Sequence, residues 1–371
     1  MQAQLTARVD LQQAARFAGQ SNPLQALAWA APQRAEAEGL CCVLMGRPIL
    51  TPAGADPAAQ LLQLWRSHGE AMLAQVQGAF AFVIFDASAG CVFAAVDRFA
   101  RETLCWSQQG QAVAFSDRAD SVLNLSGADK TLRLQSIHDF VLQHAISAPH
   151  TIFENVQRLP AGHSLLFKNG ELRVKPYWQP RFDEQARPDL AEAKTRFLDL
   201  VRADVAHEAA GPGVTGAFLS GGTDSSTVAG LLCQVTGKPA KSYSIGFEAE
   251  GYDEMAYARI AARHFGCEHH EYYLTIADMR ESLVAVAQAH DQPFGNSSAL
   301  PAYYCAKYAK NDGCTKLLAG DGGDELFGGN TRYASQKFFD YYQAWPAWLR
   351  NSLEPHCGVD SRLRAIPGVR Q

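Results

Sequence analysis

No run of apolar residues in this 371-residue chain approaches the roughly 20 that cross a bilayer. The longest runs, around 79–85 and 91–96, are the size of strands. The first twenty residues hold no basic stretch followed by an apolar one, so they do not read as a secretory signal. Cys-x-x-Cys is absent, and the nine cysteines are odd in number. Many sit in apolar runs, which reads as buried, reduced thiols of a cytoplasmic protein rather than disulfides or a metal site. Clusters of Lys and Arg are missing too. With 33 basic and 38 acidic residues the net charge is −5, and such a chain is poorly suited to neutralise nucleic-acid phosphates. Neither an internal repeat nor a Walker A loop is found. An apolar share of 47% and a charged share of 19% exclude a disordered or collagenous chain. At roughly 100–200 residues per domain, the length predicts two or three domains.

Along the chain two patterns follow one another. Up to residue 39 the sequence is rich in Ala and Gln and weakly patterned. Strand-like segments then appear at 39–45, 79–85, 91–96 and 113–116, with Asp-Ala-Ser-Ala-Gly (86–90) as a hairpin loop. Residues 57–75 read as a helix with Asp56 as N-cap and Pro57 at its first position; Gly69 is a loosening point. The polar stretch 179–189, with two prolines, is the predicted linker. Beyond it, strands and helices alternate. A helix at 190–209 precedes a strand at 214–219. A helix with Val228, Leu231, Leu232 and Val235 on one face stops at Gly237. Then come a strand at 241–247, a helix capped by Asp253 and closed by Gly266, a strand at 268–275, helices at 277–290 and 300–311, and a strand at 316–319. That alternation predicts βαβ units and a parallel sheet.

Two segments carry chemistry. Ser220-Gly221-Gly222-Thr223-Asp224-Ser225-Ser226 lies between a strand and a helix N-terminus. Ligands of open α/β sheets bind outside the carboxyl ends of strands. Glycines let the backbone approach a ligand, consecutive N–H groups and the helix dipole attract an anion, and Asp224 is a hard oxygen ligand suited to Mg²⁺ bridging phosphates. The second segment, Gly320-Asp321-Gly322-Gly323-Asp324-Glu325, continues through Leu326-Phe327 to Gly328-Gly329. Three acidic residues among five glycines, straight after a strand, point to metal-holding or base function.

Together the two segments resemble the asparagine synthetase family. Ser244-Ile245-Gly246-Phe247, Tyr252-Asp253-Glu254, His269-His270-Glu271 and Asp291-Gln292-Pro293 fall in the family's order between them. The resemblance implies an ATP pyrophosphatase domain of the adenine-nucleotide α-hydrolase type over 190–371. Upstream, Gln77–Phe82, Asp97-Arg98-Phe99 and Leu159–His163 resemble the class II glutamine amidotransferase domain, an antiparallel α+β sandwich of the N-terminal nucleophile type, here over 1–180. The implied reaction joins a carboxylate to an amine: the carboxylate attacks the α-phosphorus of ATP, and ammonia or an amine displaces AMP. By the resemblance, Ser220, Gly221, Gly222, Ser225 and Ser226 would cradle pyrophosphate. Asp224 and Asp324 would hold Mg²⁺. Phe218, Leu219, Ile245, Gly246 and Gly320 would meet the nucleotide, and Asp321 and Glu325 would be the catalytic carboxylates.

The sequence departs from the family in several places. Residue 2 is Gln2, whereas the family's glutaminase uses a cysteine freed by removal of Met. The glutamine-binding Asn-Gly-Glu stands here as Met45-Gly46-Arg47, and Arg47 would repel a substrate ammonium. A degenerate glutaminase is therefore expected. The family's serine before the acidic loop is Ala319. For the lysine that family members carry on a helical segment well past that loop, Trp345–Arg350 and Arg362–Gln371 offer no obvious substitute, which suggests a shortened C-terminus or another subunit or residue in that role. Lys316 is nearest but begins a strand. Three readings stay open: an ammonia-fed amide ligase, a cyclase using the substrate's own amine like β-lactam synthetases and lasso-peptide cyclases, or an incomplete nucleotide-binding partner, homodimeric or paired with another subunit.

Overall fold

A computed structural model describes residues 6–10, 29–30, 33–51, 54–183, 189–247, 254–329, 333, 341 and 344–353. The chain divides into two compact units, Met1–Arg187 with Glu281–Ala299, and Pro188–Arg280 with Leu300–Gln371.

The first unit is built on two antiparallel sheets. One has β1 (Thr6–Asp10), β2 (Trp29–Ala30), β7 (Cys105–Gln109), β8 (Ala112–Ser116) and β9 (Gln157–Arg158), in the order β2-β1-β8-β7-β9. The other has β3 (Gln33–Ala37), β4 (Leu40–Leu50), β5 (Val76–Asp86), β6 (Cys91–Val96), β10 (His163–Lys168) and β11 (Glu171–Pro176), in the order β11-β10-β6-β5-β4-β3. Alternation along the strands explains why the apolar runs are continuous: both faces are covered. Ala81, Val83 and Phe85 point between the sheets, where Trp106, Val113 and Phe115 meet them. Phe80, Phe82 and Ile84 point the other way, under α1 (Pro57–His68). The outer face of the first sheet is covered by α2 (Ala119–Ser126) through Val122 and Leu123. Full burial of each of these large side chains contributes roughly 1.5–3 kcal/mol. The result is a helix–sheet–sheet–helix sandwich.

The helix expected over 57–75 is two elements. Asp56 caps α1 by accepting from the Ala59 N–H at 3.1 Å, but Gly69 adopts φ +54° and ends it; a 3₁₀ segment, Gly69–Gln75, follows. The expected hairpin is present, with Asp86 opposite Cys91. Burial pushes the Asp86 carboxyl up, but hydrogen bonds from Ala89 N–H, the Ser88 hydroxyl and the Trp65 indole outweigh it, so the net shift is downward.

Asp97 knots the sandwich. Its carboxylate, 1% exposed, accepts from the N–H groups of Phe80 (3.2 Å), Phe99 (2.9 Å) and Glu102 (3.2 Å). Its carbonyl accepts from Gly162 N–H at 2.9 Å, and Gly162 (φ +66°) in turn accepts from Tyr177 N–H at 2.9 Å. The three upstream segments that resemble an amidotransferase domain thus meet at one buried residue, two through its carboxylate and the third through its carbonyl. All described cysteines are free thiols.

The second unit has the parallel sheet that the alternation predicts: β12 (Val214–Phe218), β13 (Lys241–Phe247), β14 (Glu268–Leu274) and β15 (Cys314–Leu318), in the order β14-β13-β12-β15. After α3 (Leu134–Gln143) of the first unit come α4 (Leu190–Ala209), α5 (Thr223–Thr236), α6 (Met255–Phe265), α7 (Ile276–Ala289), α8 (Ala299–Asn311), the short α9 (Gly323–Phe327) and α10 (Ala347–Leu353). Asp189 caps α4 through Glu192 N–H at 2.9 Å, and residues 184–188 of the expected linker lie outside the described residues. Gly237 and Gly266 end α5 and α6 in the left-handed conformation, as expected. The expected cap Asp253 lies outside the described residues; α6 starts after Glu254. Leu231, Leu232, Ala258 and Ala262 bring α5 and α6 onto one sheet face, while Cys305 and Ala309 bring α8 onto the other.

Asp97→Ala is expected to strand one buried and two part-buried backbone donors and to lower the stability of the first unit by about 3 kcal/mol. Urea denaturation followed by tryptophan fluorescence, to which Trp65, Trp106 and Trp178 of this unit contribute, measures it; an unchanged midpoint would contradict the role given to this carboxylate.

Candidate functional site

Strand β12 joins the sheet between β13, the next strand in sequence, and β15, the last. That is a reversal of strand order, and crevices at the carboxyl ends of strands open at such points. Both chemistry-bearing segments leave the sheet there, one after β12 and one after β15.

The first loop is held by its own hydroxyls. Ser225 Oγ lies 2.9 Å from Ser220 Oγ and accepts from Ser220 N–H at 3.2 Å, while Ser220 Oγ accepts from Gly222 N–H at 3.3 Å. The loop's entry is pinned to β13: Leu219 N–H donates to Tyr243 O at 3.0 Å, and the Ser244 hydroxyl donates to Leu219 O. Gly221 has φ +87°, and a Cβ there would lie 2.4 Å from the Ala258 nitrogen. Only glycine lets the loop pass under the start of α6. Gly222 opens α5 with no side chain capping it, so the helix start keeps amide donors for an anion. Ser226 Oγ is buried and has no hydrogen bond among the described residues.

The second loop closes on the first. A Cβ at Gly320 would stand 2.8 Å from Asp224 Cβ and from the Ser225 nitrogen, and one at Gly323 would stand 2.3 Å from Asp224 Oδ2. The Asp224 side chain therefore occupies space that these two glycines vacate. Gly322, at φ +94°, turns the chain into α9, which carries Asp324 and Glu325 in its first turn; Asp321, Asp324 and Glu325 are all exposed. Structure thus brings Ser220, Gly221, Gly222, Asp224, Ser225 and Ser226 together with Gly320 and the acidic loop.

The expected nucleotide slot is less unified. Leu219, 2% exposed, packs in the core under α5 and α6. Phe218 and Ile245 pack on the opposite face with Tyr243. Successive strand residues point to opposite faces, so these side chains diverge and only their backbone is shared at the strand ends. Gly246 leaves room for the Tyr273 ring, which a Cβ would approach to 2.6 Å.

Several expectations find other places. Lys316 reaches Glu208 Oε2 at 2.5 Å and is spent there. Arg259 forms a forked pair with Glu271, with contacts of 2.6, 2.8 and 3.1 Å, and Arg263 Nε donates to Arg259 O. Arg332, Tyr252 and Asp253 lie outside the described residues. Asn296 Oδ1 accepts from Ser298 N–H at 2.9 Å in the turn that precedes α8. Asp291-Gln292-Pro293 belongs to the first unit: Asp291 accepts from Ala119 N–H and from Arg158, both at 2.8 Å, and Gln292 Oε1 accepts from Ile152 N–H at 3.2 Å. Nothing local in the sequence marks that attachment. A cavity of about 390 Å³ against β13, β14 and α8, lined by Tyr243, Tyr272, Tyr308 and Asp312, was also not foreseen.

An open parallel sheet with hydroxyl- and carboxylate-bearing glycine loops at its reversal point is the build of an anion-binding α/β domain, here in one chain with an antiparallel sandwich. Comparison with known proteins makes the family explicit. The family model for asparagine synthase matches residues 196–365, and the glutamine amidotransferase domain model matches residues 55–178. A putative asparagine synthetase (glutamine-hydrolyzing) 2 of Methanocaldococcus jannaschii is 30% identical over 310 residues, covering 81% of this chain and 58% of that protein. Asparagine synthetase (glutamine-hydrolyzing) 1 of Bacillus subtilis is 25% identical over 297 residues, covering 79% and 46%. A putative asparagine synthetase (glutamine-hydrolyzing) of Mycobacterium bovis is 27% identical over 311 residues, covering 79% and 46%. The chain belongs to the asparagine synthetase family, and it spans about half the length of the curated relatives it matches. Among the described residues, no helix is long and apolar enough to cross a membrane.

The Arg259–Glu271 fork ties α6, the helix that presses on Gly221, to β14. The bonds from Arg259 hold the Glu271 carboxyl below its ordinary value of 4.5. A carboxyl depressed on folding adds stability above its unfolded value and loses it as pH falls through the folded one. Hydrogen-exchange protection of α6 is therefore expected to hold from pH 7 down to about 4.5 and to fall below it, and Glu271→Gln is expected to show the weaker protection throughout. A wild-type protection profile already flat across pH 4.5 would contradict the tether.

Proposed function

We infer that the second unit binds ATP with Mg²⁺ and activates a carboxylate as its acyl-adenylate for amide formation. The observation that carries this reading is the Asp224 carboxylate seated against Gly320 and Gly323, beside a helix start whose Ser226 hydroxyl has no hydrogen bond among the described residues. The donor set fits the groups. Mg²⁺ is held by one or two carboxylates together with substrate phosphates rather than by an all-protein cage. Asp224 and Asp324 are the residues that would hold it, and bound there it would offset charge on the leaving pyrophosphate. Around it, the amides of Gly221 and Gly222 and the hydroxyls of Ser220, Ser225 and Ser226 orient the phosphates. The backbone at Phe218, Leu219, Ile245, Gly246 and Gly320 borders the nucleoside. Asp321 and Glu325, exposed on the acidic loop, orient or deprotonate the incoming amine. Most of the catalytic effect in such a site is positioning and charge neutralisation.

The amine source we propose is not glutamine hydrolysed by this chain. Cys41 and Cys42 are buried inside β4, paired with Glu36 and Ala35 of β3. Burial pushes the Cys41 thiol up to about 11 and Cys42 well above its ordinary range, so neither is a ready nucleophile. Gly46 has φ +87° within β4, but Met45 and Arg47 flank it where the family carries an amide and a carboxylate. The fold of an amidotransferase remains while its substrate-reading groups are replaced. Free ammonia, or an amine already on the substrate, suits such a chain.

The fate of ATP tests both statements. The chain is incubated with Mg²⁺·ATP and aspartate, with ammonium, with glutamine, or with neither, and AMP plus pyrophosphate are resolved from ADP plus phosphate. Expected are AMP and pyrophosphate with ammonium, no gain from glutamine, and a roughly 100-fold loss of Mg²⁺·ATP affinity in Asp224→Ala. AMP without asparagine points to another acid or an internal amine. Glutamine-driven turnover would overturn the inactive glutaminase, and ADP formation or unaltered ATP binding by Asp224→Ala would overturn the adenylation reading.

A further inference from the structure

The cavity of about 390 Å³ contains none of the residues of the two glycine-rich loops. Its floor is the backbone of β13 and β14, and α8 forms its far wall. Its size falls in the range of small-molecule sites, roughly 300–1,000 Å³, and its lining mixes aromatic rings with histidine, carboxylate and hydroxyl groups.

Three tyrosine rings define it. Tyr243 is 3% exposed and stacks with His270 at 4.9 Å. Tyr308 lies 4.5 Å from Tyr272 between ring centres, and Tyr272 stacks in turn on Tyr304 at 5.9 Å. This group of rings already attracts one ammonium, because Lys307 Nζ sits 5.3 Å over the Tyr304 ring. Aromatic faces are electron-rich and draw cations most strongly where water is excluded.

The polar groups divide unequally. Glu271 is committed to Arg259. Asp312 accepts from the Tyr243 hydroxyl at 3.1 Å and stands 3.4 Å from His270, with no Lys or Arg side chain of the described residues on its carboxylate. The neighbouring Lys241 is itself engaged, with the Asp312 carbonyl at 2.9 Å and Glu268 at 3.9 Å. His269 also lines the cavity; its side chain is 10% exposed, and Ser242 takes its Nδ1 at 2.9 Å. Its Nε2 is buried and makes no hydrogen bond among the described residues. Burial pulls His269 below its ordinary 6.5, so at neutral pH it brings no charge to repel a cation.

We propose that this cavity is a second ligand site, separate from the nucleotide loops, that takes a small primary ammonium compound: the alkyl chain lies against Tyr272 and Tyr308, and the ammonium is held by the Asp312 carboxylate and the tyrosine faces. Of the residues assigned to the nucleotide only Ile245 also lines this cavity, and neither glycine-rich loop enters it, so the site stands whether or not the chain adenylates anything.

The probes are n-butylammonium chloride and n-butanol, alike in shape and different in charge, titrated at constant ionic strength and followed by NMR. Butylammonium is expected to bind at least about tenfold more tightly than butanol, a difference that one desolvated cation–aromatic contact supports. Nuclear Overhauser contacts should join its methylenes to the Tyr272 and Tyr308 rings. Tyr308→Leu, which keeps an apolar side chain but removes a ring face, and Asp312→Asn should each weaken butylammonium by about tenfold and affect butanol far less. Equal binding of the two probes, no saturable binding, or contacts to other rings would overturn the site. The contacts in the unaltered protein decide the matter even where a variant fails to fold.

Discussion

One carboxylate organises the second unit. Asp224 lies in the first turn of α5, and the chain returning after β15 must pass close to it. That approach works only because residues 320 and 323 have no side chain: a Cβ at either would stand less than 3 Å from an Asp224 atom. A glycine in a loop costs conformational entropy on folding. Two of them here keep a charged oxygen ligand between loops that leave adjacent strands. The parallel register of β12 with β15, Ala217 opposite Leu318, carries both loops to the same end of the sheet. Gly221 repeats the device on the other side, where the start of α6 presses on the loop.

The first unit depends on a different carboxylate with a different task. Asp97 is buried and satisfied by backbone donors, so it ties strands and turns together and has nothing left for a ligand. Its neighbours are the segments through which the chain resembles an amidotransferase. The match in this half therefore reports a shared frame. Met45 and Arg47, which the resemblance puts where glutamine would be read, stand on β4 opposite Ala81 and Ala79 of that frame; a fold can persist while such site residues change.

Much of this was legible in the chain of residues alone. The parallel unit was, because strand and helix patterns alternate there and Gly237 and Gly266 punctuate them. Both loops were, because glycines and carboxylates straight after apolar strands have few structural uses. The first unit was harder. β7 reads Cys-Trp-Ser-Gln-Gln, too mixed to show a period, and β1 lies in a stretch where Ala and Gln blur any pattern. The helix over 57–75 changed type at Gly69, where one backbone angle decides and composition does not. Asp291-Gln292-Pro293 was seen as a motif, but its partners Ala119, Ile152 and Arg158 are more than 130 residues away, and no local signal announces them. The tyrosine-lined cavity was invisible for the same reason: its walls come from two strands and a helix whose tyrosines each look like ordinary core.

The measurement that bears most directly on the account is a crystal structure of the protein grown with ATP and Mn²⁺ in place of Mg²⁺. The anomalous signal of manganese locates the ion without reference to any assumed pose. The account predicts a manganese peak coordinated by Asp224 and Asp324, with the phosphates against the amides and hydroxyls of Ser220–Ser226. A nucleotide bound elsewhere, or an ion that Asp224 does not ligate, would contradict it.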